Sequence, residues 1–427
     1  MYLYFFTLVV FLLLSWGAYR RGRIYQFPFL AGVAFFGFML LQLVGLQKDP
    51  SLPPGAFERV SLMALLCAVA LFVGYKIPRR PTQLFRWDLN RDRLFRAALL
   101  LVVFGALFSF LMNRAAESVT GSQWSGPVVI FHFLRQTMDY GFVIAVLLYA
   151  RTGSKRSLVL SLFCSLFYFD AIFIAARRAT AAKVILAGLL ALWFHRRKSI
   201  PRWIFIPLIA AAMVIGSTSI TEYRIATNSE EAVRNIPWQE NIEQTLEQGG
   251  QEMRASAYQM AAIEEVGLYD YGSFHWNRLV FNYIPAQLLG NSFKESLYIP
   301  TTEDYRSGRS IERNDITYRL YGYEKGPGIT VSGVTDAFAS FWYFGFIKFL
   351  VVGAIMKVLY VSSMRGNWTC QILYILLIVP SMHIVTHNTH WFFADWLLMA
   401  VFLGPAFMYA RRSPLLMSKQ SVHHASR

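Results

Sequence analysis

The sequence predicts an all-α, polytopic transmembrane helix bundle of about eleven spans with one large, mostly helical extracytoplasmic loop domain. Of its 427 residues, 55% are hydrophobic, and the mean hydropathy is +0.39, which is more apolar side chain than one soluble core would bury. The apolar residues occur in long runs, and the basic residues lie between every second pair of runs. Together these observations indicate a bilayer as the solvent for most of the chain.

Runs of roughly 17 to 25 apolar residues are long enough to cross a hydrocarbon layer of about 30 Å as helices. We predict eleven such spans near residues 2–18, 27–46, 59–75, 97–112, 128–150, 157–175, 179–194, 203–220, 335–360, 369–386 and 391–410.

The charges between the spans predict the orientation, because loops that face the cytoplasm collect Lys and Arg. The basic loops are 20–23, 76–96, 151–156, 195–198, the turn at Arg365 and the chain after 410. Alternate loops, at 48–58 and 113–127, carry few cations. The N-terminus is therefore expected outside the cytoplasm and the C-terminus inside it.

This topology divides the chain into four parts, namely spans one to eight in 1–220, an extracytoplasmic loop domain in 221–334, spans nine to eleven in 335–410 and a cytoplasmic tail in 411–427. The loop domain carries 16 acidic and 10 basic side chains, although the whole chain has a net charge of +16. The basic excess is thus a topology signal, and nucleic-acid binding is not indicated.

The pair Arg177-Arg178, in FIAARRATAAKVIL, breaks the pattern, because the alternation places it on the extracytoplasmic side. Arginines at the end of a span face a cavity, pair with an acid, or meet an anionic ligand, unless they reach lipid phosphate. Asp170 precedes Arg177 by seven residues, so on a continuous helix the two share a face, and Asp170 is expected to orient that guanidinium.

The fifth predicted span contains His132, Arg135 and Asp139 in an otherwise apolar run. Arg135 and Asp139 have the i, i+4 spacing of a helical ion pair. Ionisable residues inside a membrane mark function by default, and a purely structural pair is the alternative interpretation. Lys183 and Lys348, in other spans, are weaker candidates because their long stems reach an interface.

The loop domain gathers cations that suit a large anionic ligand, since guanidinium groups hold phosphate in two-point contacts. These cations are Arg224, Arg254, Arg278, Arg306, Arg309, Arg313, Arg319 and Lys325. The stretch HIVTHNTHWFFADW brings His383, His387 and His390 together with Asp395 on the same predicted side. These histidines suit a proton acceptor or an interfacial hydrogen-bonding cluster.

Several motifs are missing from the sequence. It has no GxxxxGK[ST], no HExxH and no GxSxG, and its three cysteines each lie inside an apolar stretch. We therefore expect neither a metal nor another cofactor.

One combination of features resembles a known family. The turn and helix AARRATAAKVILAGLL, the long outer loop with FNYIPAQL at 281–288, and GPGITVSGVTDAFASFWYFGFIKFLVVG at 326–353 resemble the O-antigen and exopolysaccharide repeat-unit polymerases of the Wzy type. The resemblance covers about residues 150–405. Asp336 stands where a glutamate is commoner, and Ala286 where a basic residue is frequent.

The resemblance implies a glycosyltransferase that joins repeat units carried on polyprenyl pyrophosphate, at the outer face of the bacterial inner membrane. It further implies membrane lipid, a chain-length regulator and a flippase as partners. In this interpretation Arg177 and Arg178, with Arg224 and Arg306 or Arg313, bind pyrophosphate. The proton acceptor is sought among His387, His390 and Asp336. The aromatic residues that would stack on sugar rings, or else pack the loop onto the bundle, are Trp276, Tyr283, Tyr318, Tyr321 and Tyr323.

Two alternatives remain open at this point. An O-antigen ligase would use a similar bundle and donor but transfer glycan to a lipid A core. A glycolipid or solute transporter would line a continuous path with its charged residues, although the spans show no clear inverted repeat.

Overall fold

A computed structural model describes residues 1–78, 80–83, 85–116, 127–174, 177–218, 236–284, 286–299, 311–326 and 329–412. Within these ranges the regular structure is helical, and the one β-bridge joins Leu89 to Arg411. The helices up to residue 218 are α1 (Tyr2–Tyr19), α2 (Phe27–Leu46), α3 (Ala56–Lys76), α4 (Arg91–Ala116), α5 (Pro127–Arg135), α6 (Thr137–Thr152), α7 (Lys155–Phe169), α8 (Arg178–Arg196) and α9 (Arg202–Thr218). The remainder are α10 (Trp238–Gln248), α11 (Gln251–Val266), α12 (Ser273–Tyr283), α13 (Ala286–Leu289), α14 (Asn291–Ser296), α15 (Ile311–Tyr321), α16 (Gly333–Phe341), α17 (Ile347–Met364), α18 (Trp368–Thr386) and α19 (His390–Ala410).

Eight segments in the described part of the chain are long and apolar enough to cross a membrane. They are α1, α2, α3, Arg91–Arg114 of α4, α8, the stretch Gly333–Met364 that contains α16 and α17, α18 and α19. The protein is therefore a multi-pass, all-helical membrane protein.

The predicted count of eleven spans is not confirmed, because three predicted spans form shorter or interrupted helices. The stretch 128–150 is divided between α5 and α6 at Gln136. Helix α7 has 15 residues and runs into a π-helical turn at Asp170–Ile174. Helix α9 has 17 residues and contains Pro207. Within the described residues, α5, α6, α7 and α9, each taken as an α-helix alone, are shorter than the roughly 20 residues that a straight crossing needs.

The predicted ninth span is also interrupted. Helix α16 ends where Trp342 adopts φ 51° and ψ −141°, and a 3-10 turn over Trp342–Phe346 leads into α17. A positive φ is uncommon for a residue with a side chain, so this break is a local feature that the apolar pattern does not reveal. It allows α16 and α17 to carry polar groups that face one another.

Helix α18 is the centre of the bundle. It packs against α2, α6, α8, α17 and α19. Of the residues in its most apolar 18-residue stretch, 89% are buried. Helices α3 and α17 also pack closely, because Gly74 and Gly353 remove the side chains between them. Small residues at such positions are the usual way in which membrane helices approach one another.

Large apolar side chains lie exposed on the outside of the bundle. On α1 they include Leu8 and Leu12, and on α4 they include Leu100 and Val103. In water such a surface would favour aggregation, whereas in a bilayer it is matched by lipid chains. The exposure pattern therefore agrees with the membrane assignment.

Residues 236–284, 286–299 and 311–326, which we call the cap segment, form helices α10 to α15. Helix α10 packs on the end of α2, and α11 packs on α3. Polar contacts reinforce this packing: Arg254 forms a salt bridge with Asp49 at 2.9 Å, and Arg59 forms one with Glu264. The predicted helical character of the segment is thus found, with Gly249 and Gly250 separating its first two helices.

Candidate functional site

Arg177 and Arg178 lie at the beginning of α8. Arg177 is the residue that precedes the helix, with φ −81° and ψ 91°, and both side chains are exposed. The first turn of a helix presents unpaired N–H groups and the positive end of its dipole, and both attract anions. The pair therefore combines two guanidinium groups with a helix N-terminus.

The prediction that Asp170 orients the Arg177 guanidinium stays a prediction, although the continuous α-helix that it assumed is not found. A π-helical turn ends at Ile174, and the Arg177 N–H donates to the Ala171 carbonyl oxygen at 2.8 Å. The side chain of Asp170 lies outside the described residues.

A carboxylate near Arg178 belongs to Glu252 of α11, in the cap segment, and the two charges attract each other. Burial raises the pKa of Glu252 above the usual range of a glutamate, and the positive charge of Arg178 opposes that shift. The cap segment therefore contributes a titratable group to the start of α8.

The predicted ion pair between Arg135 and Asp139 is wrong as a salt bridge, although the two charges attract each other. The break at Gln136 separates α5 from α6, so the geometry of a continuous helix does not apply. The Asp139 carboxylate forms its salt bridge with Lys183 of α8, and its Oδ1 accepts a hydrogen bond from the Tyr168 hydroxyl at 2.6 Å. Arg135 Nη1 contacts Met112 Sδ at 3.6 Å.

Arg135 nevertheless lies near Arg177 and Asp139, because its charge interacts with theirs. His132 is close enough to interact electrostatically with both Arg135 and Arg177. The like charges of Arg135 and Arg177 repel one another in the free protein. An anion bound between them would relieve that repulsion.

Two of the three histidines lie beside this group. The rings of His383 and His387 are 5.1 Å apart between centroids, at the end of α18. His383 interacts electrostatically with Arg178 and Lys183. Thr386 Oγ1 and His387 Nδ1 share a hydrogen bond of 2.8 Å. The end of α18 and the start of α8 thus form one polar region.

Asp395 of α19 completes this region, because its charge interacts with those of Lys183 and Asp139. We call the whole set the charged cluster. Its members are Arg135, Asp139, Tyr168, Arg177, Arg178, Lys183, His383, His387 and Asp395. From the sequence, Lys183 was one of the weaker candidates. In the structure its ammonium group joins α8 to α6, so it lies near the centre of the charged cluster.

Asp336 lies in a second polar group. It is 1% exposed, and its Oδ2 accepts hydrogen bonds from the Thr389 N–H at 2.9 Å and the Thr389 hydroxyl at 2.5 Å. His275 Nε2 and Lys348 Nζ approach the same oxygen at 3.5 and 3.7 Å. Lys348 also donates to Ser340 Oγ at 2.7 Å. We call these five residues the Asp336 cluster.

The Asp336 cluster joins four elements: α12, α16, α17 and the turn before α19. Asp336 Oδ2 accepts the Thr389 N–H, which orients the beginning of α19. Its burial, its hydrogen bonds from Thr389 and the nearby Lys348 ammonium suit a structural role, because a buried carboxylate needs compensating charge. His275 and Thr389 were not predicted from the sequence, since neither belongs to a motif.

His390 is associated with Asp336 and not with the other two histidines. Its ring is 3% exposed, packs against Phe274 and Trp391, and interacts electrostatically with Asp336 and Lys348. Neither ring nitrogen of His390 has a hydrogen-bond partner among the residues described. The histidine run of the sequence is therefore divided between two places.

The five aromatic residues predicted to bind sugar have different environments. Tyr321 donates a hydrogen bond to Glu265 at 2.5 Å, and Tyr323 stacks on Tyr258 with centroids 4.2 Å apart. Both thus pack within the cap segment. Tyr283 packs against Phe133 at 5.4 Å and interacts electrostatically with Asp395 of the charged cluster.

The other two aromatic residues are exposed. Trp276 is 45% exposed and donates its indole N–H to the Leu297 carbonyl oxygen at 2.8 Å, and Tyr318 is 59% exposed.

Three predicted phosphate ligands lie outside the residues that the structure describes, namely Arg224, Arg306 and the side chain of Arg313. Among the described residues, no group of three or more His, Cys, Asp or Glu side chains could hold a metal ion. The three cysteines are buried free thiols.

The fold and these two polar groups define a multi-pass helical membrane protein with ionisable side chains buried among its helices. Comparison with protein-family models, with curated proteins and with solved structures finds no match.

Proposed function

We propose that this chain is a membrane glycosyltransferase that lengthens a glycan carried on polyprenyl pyrophosphate, at the outer face of a bacterial inner membrane. One observation carries the proposal: Arg177 and Arg178 begin α8 at the same place where α18 ends in His383 and His387. The resemblance to O-antigen and exopolysaccharide repeat-unit polymerases supports the same interpretation.

The proposed reaction breaks the bond between the anomeric carbon of the donor glycan and an oxygen of the pyrophosphate. The anomeric carbon forms a new bond to a hydroxyl oxygen of the next lipid-linked repeat unit, and that hydroxyl gives up its proton. Negative charge grows on the departing pyrophosphate, where guanidinium groups and a helix N-terminus stabilise it. No nucleotide is needed, because the glycosyl pyrophosphate is already activated.

His387 is the preferred proton acceptor in this proposal. Its side chain is partly exposed and lies in the polar region that contains Arg178, whereas Asp336 and His390 are buried. A proton acceptor must come within hydrogen-bonding distance of the acceptor hydroxyl, directly or through one water. Asp336 would then hold the start of α19 in place, and Tyr283 is the best-placed of the five aromatic candidates to meet a sugar.

The proposal also fixes an orientation. The cap segment and the beginning of α8 lie outside the cytoplasm, as does the N-terminus, whereas the C-terminal tail lies inside it. A flippase would supply the lipid-linked units to that outer side, and a chain-length regulator would act on the growing product.

Purified protein in vesicles tests the proposal directly. We expect lipid-linked repeat units to lengthen in the absence of nucleotide, with release of polyprenyl pyrophosphate. Transfer of glycan only to an added lipid A core would identify a ligase. Movement of the unchanged substrate across the bilayer, without lengthening, would contradict the enzyme proposal.

A transporter is the second candidate, and the Asp139–Lys183 salt bridge is the observation that favours it. This pair lies between α6 and α8 with Asp395 close by, and carboxylates inside membrane helices are typical of proton relays. In the vesicle experiment, substrate movement that depends on a proton gradient and is lost in Asp139→Asn would favour transport over glycosyl transfer.

A further inference from the structure

A basic pocket lies at the other end of α8, remote from the charged cluster. Helix α8 has 19 residues, so the two ends are about 27 Å apart. A cavity of about 660 Å³ lies between the ends of α6, α8 and α17 and the side of α18. Its polar lining consists mainly of Arg151, His195, Arg196, Arg197, Arg365 and Gln371.

The charge of the pocket is strongly positive, because four arginines line it and none of its lining residues is Asp or Glu. The charge of Asp88, which does not line the pocket, interacts with that of Arg151. Asp88 Oδ2 forms a salt bridge with Arg412 Nη1 at 3.6 Å. The pocket therefore retains a large positive excess.

The arginines are held in place by contacts to the backbone and to aromatic rings. Arg196 Nε donates to the Ala150 carbonyl oxygen at 3.1 Å, and Arg197 Nη2 donates to the Met364 carbonyl oxygen at 3.2 Å. The Arg151 guanidinium lies 4.3 Å from the centre of the Trp368 ring. Arg197 Nη1 also donates to Met364 Sδ at 3.0 Å. Such anchoring uses one face of Arg151, one nitrogen of Arg196 and two nitrogens of Arg197, and it leaves other N–H donors for a ligand.

The backbone also directs Arg197 to this place. Its φ is 53°, in the left-handed region that residues with side chains rarely adopt. This conformation ends α8 and brings Arg197 to the end of α17. Arg365 follows the last turn of α17, and its side chain is exposed.

The pocket contains neutral polar groups as well. Gln371 is 1% exposed, and its Nε2 donates to the Ser363 carbonyl oxygen at 3.0 Å. The His195 ring and Gln371 lie within hydrogen-bonding reach of each other, and neither His195 Nε2 nor Gln371 Oε1 has another hydrogen-bond partner among the described residues. These two atoms suit a ligand hydroxyl next to the phosphate.

We infer that this pocket binds the phosphate of an anionic phospholipid whose headgroup carries hydroxyls, such as a glycerol headgroup. Two features favour a lipid over free phosphate. The pocket lies at helix ends, where headgroups are found, and its four arginines exceed what one small anion can contact. The inference is independent of the proposed function, because it concerns the opposite end of α8.

The test uses the purified full chain, stripped of lipid in neutral detergent, and measures thermal stability and lipid binding. We expect phosphatidylglycerol to stabilise the protein, and phosphatidylcholine and inorganic phosphate at equal concentration to do so much less. Arg151→Ala with Arg365→Ala should weaken phosphatidylglycerol binding about tenfold or more, because charge-assisted contacts are lost. The same two positions changed to Lys should keep part of the binding, and Arg20→Ala, an exposed arginine outside the pocket, should keep all of it.

Three results would overturn the inference. Equal stabilisation by phosphatidylcholine would show that the pocket does not select charge. Full stabilisation by inorganic phosphate alone would replace the lipid with a free anion. Unchanged phosphatidylglycerol binding in the double alanine variant, which a monodisperse elution profile shows to be folded, would place the lipid elsewhere.

Discussion

The Lys183 ammonium of α8 forms a salt bridge with the Asp139 carboxylate of α6, and Tyr168 of α7 donates a hydrogen bond to the same carboxylate. Three helices are thereby joined at one acidic side chain. The charged cluster is built around this connection, and the Arg177-Arg178 pair lies one to two turns before Lys183 on the chain.

The first prediction concerns this salt bridge. Asp139→Asn and Lys183→Met should each lower the free energy of unfolding by about 1 to 3 kcal/mol, because each leaves one charge without its partner. Solvent weakens the attraction between the two charges, because the side chain of Asp139 is 19% exposed and that of Lys183 is 27% exposed. Thermal unfolding in detergent measures the effect. The double variant should lose less than the sum of the two single losses, and strictly additive losses would show that the pair is not coupled.

A second prediction concerns Glu252 and pH. Because burial raises the pKa of Glu252, this carboxylate takes up its proton at a higher pH than an exposed glutamate does. Protonation removes the negative charge that competes with an anionic ligand for Arg178. Lowering the pH toward that pKa should therefore strengthen binding of the lipid-linked substrate.

Glu252→Gln provides the control for that prediction. The variant should bind the substrate about two- to fivefold more tightly at neutral pH, the size expected for loss of one partly exposed charge interaction. Its affinity should also vary less with pH over the same range. A variant whose pH profile matches the natural protein would show that Glu252 does not act on the site.

The third prediction separates the histidines. His387→Gln should lower kcat by about 10²- to 10⁴-fold with little change in KM, as expected for loss of a proton acceptor. His390→Gln should instead act on stability, because its ring is buried between Phe274 and Trp391. Steady-state kinetics and thermal unfolding of both variants distinguish the roles. Near-normal kcat in His387→Gln would exclude it as the base.

A fourth prediction concerns orientation. The native cysteines are all buried, so an introduced cysteine reports its own accessibility. Thr180→Cys, in the first turn of α8, should react with a membrane-impermeant thiol reagent in intact spheroplasts. Lys198→Cys, just beyond the other end of α8, should react only after permeabilisation. The reverse pattern would place the arginine pair in the cytoplasm.

The sequence was sufficient to predict a helical membrane protein, because apolar runs long enough to cross a bilayer depend on little besides composition and length. It also identified Arg177, Arg178, His383, His387 and Asp139 as residues of interest, and the structure brings these together. Side chains that disfavour the bilayer interior are visible without knowledge of the fold.

What the sequence did not reveal depends on breaks in the helices and on contacts between distant segments. The i, i+4 argument for Arg135 and Asp139 failed because the helix is interrupted at Gln136. His275 and Thr389 meet Asp336 from positions 61 and 53 residues away along the chain, and no local pattern encodes such a meeting. The sequence did not indicate the importance of Lys183, because its partner, Asp139, lies on another helix.

We propose above that Arg177 and Arg178 hold the pyrophosphate during glycan lengthening. The most direct measurement is the turnover of lipid-linked repeat units by purified, reconstituted variants of the full chain. Arg177→Ala and Arg178→Ala should each lower turnover about 100-fold or more, whereas Arg178→Lys should retain part of it and Arg93→Ala, an exposed arginine on α4, all of it. Turnover in both alanine variants equal to that of the natural protein would contradict the account.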